Sequence, residues 1–102
     1  MEKEYILCAA IWFDDKKQHT HQPKNIETGY VICGRRHHNC FITAHILTGD
    51  TSYVKYEKEQ GFITNLDRFV DRVEGRKIAF EAGQLAGRDV SSRDKLFSED
   101  LY

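Results

Sequence analysis

The residues best suited to chemistry stand together in the run Gly34, Arg35, Arg36, His37 and His38, with Cys33 before it and Cys40 after it. Two guanidinium groups each offer several N–H donors to a phosphate, and two imidazoles add donors and flat rings. The flanking sequence indicates how they are held. Tyr30 to Cys33 is β-branched and aromatic and reads as a short strand, and Gly34 breaks it. From Asn39 onward Cys40, Phe41, Ala44 and Leu47 share one helical face until Gly49 offers a C-terminal stop. A strand, a glycine turn and a helix start place the arginines beside backbone N–H groups that have no partner inside the helix. The helix dipole adds partial positive charge there, so an anion seat is expected at this junction.

Other chemistries find less support. Cys33, His37, His38 and Cys40 are metal-ligand types, but all fall within eight residues, without the two separated pairs a zinc site uses, so no metal is expected. Cys33 reads as the end of a buried strand and Cys40 as a core residue of the helix. Cys40 and His45 are five apart, which points them to different sides of a helix and argues against a nucleophile and base pair. Asp14 with Asp15, and Glu99 with Asp100, sit among solvent-seeking residues. The chain has no G-x-x-x-x-G-K-[ST], G-x-G-x-x-G or H-E-x-x-H. No catalytic residue and no cofactor are therefore expected, and binding is the function class left.

The elements that must position these residues follow from the rest of the chain. With 102 residues, 40% hydrophobic and 12% aromatic, one domain spanning residues 1–102 is expected. A net charge of -1 argues against a protein that coats duplex nucleic acid. Three cysteines, an odd number, read as reduced thiols. No apolar run approaches the ~20 residues that span a bilayer, and M-E-K-E-Y lacks a signal-peptide layout, so no membrane contact and a cytosolic location are expected. Tyr5 to Phe13 predicts a central strand covered on both faces, and Asp14 to Gly29 a long surface loop. G-F-I-T and R-F-V flank Asn65, Leu66 and Asp67 as a tight hairpin. Asp71 and Glu74 form a D-x-x-E cap for a helix from about Arg72 to Ala82, ending at Gly83, with Gly75 inside it. The closing L-F-S-E-D-L-Y reads as a docked tail. The fold class is α+β: a small, mostly antiparallel sheet with two helices packed on one face. Phe62, Phe69 and Trp12 are the aromatics that could offer a flat surface to a base beside the arginine-histidine run.

The order of a hydrophobic first strand, Gly34-Arg35-Arg36-His37, E-Q-G-F-I at Glu59 to Ile63, R-F-V-D-R at Arg68 to Arg72, A-G-Q-L at Ala82 to Leu85 and the terminal L-F-S-E-D-L-Y resembles the small phage proteins of the first Thoeris anti-defence family. The resemblance covers most of the chain, and the E-Q-G-F and S-E-D-L-Y elements are its most distinctive part. It implies a non-enzymatic sponge, acting in the host cytoplasm during infection, that sequesters glycocyclic ADP-ribose. It also implies a homodimer or homohexamer, and in some members a separate pocket for the cyclic oligonucleotides of CBASS immunity. By that resemblance Phe62 would stack the base, Thr64, Asp71, Arg72, Arg88 and Trp12 would complete the ADP-ribose site, and Arg35, Arg36, His37 and His38 would serve the second pocket. Two alternatives stay open: a phage regulatory module that binds another protein, and a hydrolase acting on the same signals.

Overall fold

The computed structural model describes residues 3–49, 51–85 and 95–101. Four strands, β1 (Ile6–Phe13), β2 (Tyr30–Gly34), β3 (Glu57–Thr64) and β4 (Phe69–Asp71), form one antiparallel sheet in the order β2-β1-β3-β4. Helices α1 (His37–Thr48) and α2 (Arg72–Glu81) complete the α+β architecture expected from the sequence. The nine-residue apolar run does become a central strand. Its alternation sends Ala9, Ile11 and Phe13 to the helix-covered face, where all three are fully buried. A bulge in the β1–β3 pairing between Ile6 and Cys8 shifts the phase by one residue, so Ile6 reaches the same face and Leu7 is left exposed.

The core has two halves. Under α2, Ile6, Ala9, Phe62, Val70, Ala79, Leu85 and Leu96 pack together. Under α1 lie Ile11, Phe13, Ile32, Cys40, Ala44 and Tyr53, the last from a 3-10 turn, Ser52–Tyr56, that the sequence did not signal. Helix α1 starts at His37, two residues before the apolar periodicity begins, and ends as expected at Gly49 with a left-handed φ of 79°. Only Cys40 and Ala44 of α1 are buried. Leu47, expected in the core, is exposed, because Phe13, the last residue of β1, already packs against Phe41 and Tyr53 and no strand continues beneath the following turn.

The opposite face of β1 is covered differently from what the long apolar run implied. Residues 14–29 form a strap that reaches both edges of the sheet. The Gln22 side-chain oxygen accepts from the Val31 N–H on β2, while Asn25 brackets Phe69 on β4, accepting from its N–H at 2.8 Å and donating to its carbonyl at 2.6 Å. Pro23 and Gly29 are buried in this strap. The expected hairpin is present, with Asp67 in a left-handed conformation and Thr64 bonded to the Arg68 carbonyl. The tail is docked as expected: Leu96 is fully buried and its N–H donates to the Arg72 carbonyl at 2.8 Å.

Candidate functional site

The geometry that most resembles a binding site forms where β4 hands over to α2. Asp71 is the N-cap, its Oδ1 accepting the Glu74 N–H at 2.8 Å, as the D-x-x-E spacing predicts. Arg72 follows and is the hub of the site. Its guanidinium donates to the Leu96 carbonyl and to Gln60 Oε1, both at 2.9 Å, and its Nη2 lies 3.4 Å from His37 Nδ1. The same group lies 4.7 Å from the centre of the Phe97 ring, a cation–π contact. One residue therefore gathers β3, α1, α2 and the tail. Burial lowers its pKa, partly opposed by Glu99 and Glu59.

Beside this hub opens a polar hollow of about 340 Å³. Asp71, Arg72 and Gln60 line it, with Lys95 bringing positive charge and Glu57 and Glu59 negative charge, while Lys58 borders it with its Nζ turned to the Trp12 ring and Asp14. The lining is amphoteric. Its cations can meet phosphate oxygens, and its carboxylates can accept sugar hydroxyls.

His37 shows how partners fix a protonation state. Its Nε2 lies 2.8 Å from the Gly61 carbonyl, which can only accept, and Nδ1 faces the Arg72 guanidinium, which can only donate. The ring is thus the neutral tautomer with the proton on Nε2. Burial pushes its pKa below the ordinary value, and the charge of Arg72 acts in the same sense.

The residues picked from sequence are distributed as follows. Asp71 and Arg72 line the hollow. Phe62 does not; it is fully buried in the core, edge-on to His37 at 5.2 Å and wedged against Gly75, because its strand position faces the helices. Thr64 is also buried, its hydroxyl donating to the Glu4 carboxylate at 2.7 Å. Trp12 points to the other face of the sheet, where its Nε1 donates to the Thr28 carbonyl at 3.0 Å and Lys58 stands 4.9 Å from its ring. It borders a second polar hollow of about 370 Å³. Arg88 lies outside the described residues. Arg35 and His38 are exposed, and Arg36 is a half-buried N-cap whose N–H donates to Asn39 Oδ1 at 3.1 Å. His37 parts from these neighbours and turns inward to Arg72, so one residue assigned from sequence to the second pocket contacts one assigned to the first.

Sequence reasoning missed Lys58 and Lys95, which lie in no motif, Gln60, which stands in the E-Q-G-F element but was given no role, and Phe97, which it placed only in a docked tail. Cys33, expected to be buried, is exposed on the edge strand, since its side chain points away from the helices. It faces the Cys8 thiol, and hydrogen bonding from Cys33 draws Cys8 down to about 7 while Cys33 itself is raised. Cys40 is in the core, and burial raises it to about 11.

Fold and site together define a small α+β protein with a mixed-charge hollow at a strand-to-helix junction. Residues 5–102 match the family described as phage T4 y16D protein, and with nearly the whole chain matched, the chain belongs to that phage protein family. No curated protein and no solved structure matches it. No helix among the described residues is long and apolar enough to cross a membrane.

Proposed function

We propose that the chain is a phage anti-defence sponge of the Thoeris type, holding a glycocyclic ADP-ribose-class signal without turnover in the hollow at the start of α2. The observation that carries this reading is the pairing of Asp71 with Arg72 in the lining of an open hollow that also holds Lys95. An ADP-ribose signal presents phosphates and sugar hydroxyls side by side, and this lining offers a complement to both. With Phe62 withdrawn into the core, the stacking surface passes to Phe97, whose ring already lies against the Arg72 guanidinium. Arg35, Arg36 and His38 form the site for cyclic oligonucleotides, beside but distinct from the hollow.

Sequestration requires affinity rather than chemistry, and submicromolar binding corresponds to roughly 8 kcal/mol. Calorimetric titration with glycocyclic ADP-ribose and with a cyclic trinucleotide tests the reading, followed by recovery of the ligand after heat release. Saturable binding with intact ligand is expected, and a Lys95→Ala variant should weaken ADP-ribose binding about tenfold. Absence of heat with every such ligand would refute the sponge, and recovery of a hydrolysed ligand would make the protein a hydrolase.

A further inference from the structure

The cysteines of the chain stand in two different settings. Cys40 is fully buried on the helix-covered side of the sheet, where its Sγ donates to the Ala9 and Arg36 carbonyls at 3.8 and 3.6 Å. Cys8 on β1 and Cys33 on β2 form a pair. Cys33 lies opposite Ala10 in the antiparallel register, so Cys8, two residues before Ala10, projects from the same face as Cys33, the one turned away from the helices. The two are diagonal neighbours, and their sulfurs are near enough to share a hydrogen bond. The Cys33 S–H donates to the Cys8 sulfur, and the Gly34 N–H donates to it as well. Solvent reaches both residues: Cys8 is half-buried, and Cys33 is exposed on a strand at the edge of the sheet.

We propose that Cys8 and Cys33 are a peroxide-responsive dithiol, with Cys8 the attacking sulfur and Cys33 the resolving one, which together close a reversible disulfide between β1 and β2. Two donors aimed at one sulfur favour its anion, and at about 7 Cys8 is about half thiolate in neutral solution. The thiolate attacks one oxygen of hydrogen peroxide, the O–O bond breaks, hydroxide leaves and Cys8 becomes a sulfenic acid. The Cys33 sulfur then attacks the Cys8 sulfur. An S–S bond forms as the S–O bond breaks, and the Cys33 proton departs with the hydroxyl as water, so the two sulfurs lose two electrons and the peroxide ends as two waters. Cys33 is raised chiefly by its hydrogen bond to Cys8, an effect that is spent once Cys8 is oxidised, so the resolving thiol is released at the step that needs it. A thiol reductant returns both groups by exchange. The bond closes a loop that contains the whole strap of residues 14–29 and pins β2 one residue before Gly34, where the chain turns toward the α1 cap at Arg36. It does not depend on what the hollow at α2 binds.

The full chain, treated in its native state with hydrogen peroxide and followed by intact mass and peptide mapping, should lose the mass of two hydrogens, show a Cys8–Cys33 link and leave Cys40 open to alkylation after unfolding. Dithiothreitol should restore the starting mass. Cys33→Ser should stop at a Cys8 sulfenic acid that dimedone traps, and Cys8→Ser should slow the reaction with peroxide about tenfold. Alkylation of the unaltered chain with iodoacetamide at pH 7 keeps the proposal open to refutation if a variant fails to fold: Cys8, although less exposed, should react about tenfold faster than Cys33. A link to Cys40, a covalent dimer through Cys33, faster alkylation at Cys33 than at Cys8, or thiols that all stay reduced while glutathione in the same solution is oxidised would each overturn it.

Discussion

Phe62 and His37 are held by the same contact, and each gives a residue-level test. The Phe62 ring is fully buried, and a Cβ built on Gly75 would lie 3.1 Å from its Cδ2. Helix propensity alone favours alanine at position 75 by about 1 kcal/mol, but the ring is also confined by His37 and has nowhere to retreat. Overpacking, typically about 1–3 kcal/mol, should prevail, so Gly75→Ala is expected to lower the urea midpoint; a rise would mean that the ring yields. His37 gives a pH test. Its folded pKa is depressed, so as pH falls below the ordinary value of 6.5 the unfolded chain takes up a proton that the native ring refuses. Stability is therefore full above that value and declines as pH falls toward the folded pKa. Urea midpoints between pH 7.5 and 5 should fall with acid, and His37→Gln should flatten that slope. Glu4, held below its ordinary carboxyl value chiefly by its hydrogen bond to Arg68, loses its stabilising effect in the same direction but at lower pH, which separates the two groups.

At the level of elements, α2 is set by a cap at one end and by the tail laid along it. Removing the cap with Asp71→Ala should cost about 1 kcal/mol, since one N–H at the helix start loses its acceptor. Leu96→Ala should cost more, about 2–5 kcal/mol, because it opens a cavity at a fully buried position shared with Phe62 and Leu85. Denaturant unfolding of the two variants should rank them in that order, and a smaller loss for Leu96→Ala would show that the tail is not part of the cooperative unit. Arg72 links the two effects by donating to the Leu96 carbonyl, so the tail anchors the wall of the hollow as well as the core.

Across the whole molecule, the strap of residues 14–29 ties one sheet edge to the other. Asn25→Ala removes both side-chain bonds to Phe69 and should cost about 1–3 kcal/mol. Trp12, the chain's single tryptophan, lies beneath the strap, so its emission should shift to the red in the same variant; unchanged emission and midpoint would mean the strap contributes no cover.

The D-x-x-E cap, the glycine stops at Gly49 and Gly83, the hairpin around Asp67 and the apolar first strand were legible because each depends on residues within a few positions of one another. The fold class and the paired position of Asp71 and Arg72 follow from those local rules. Tertiary structure alone decided which face each aromatic takes: Phe62 went to the core and Trp12 to the far side, because the unbroken β1–β3 register from Cys8–Ile63 to Trp12–Glu59 puts Phe62 opposite Ala9 on the helix-covered face and Trp12 on the other. It also decided that His37, 35 residues before Arg72, would meet it, and that Lys95 would share its hollow. Contacts between residues so far apart in sequence arise only when the sheet closes, and no local pattern encodes them.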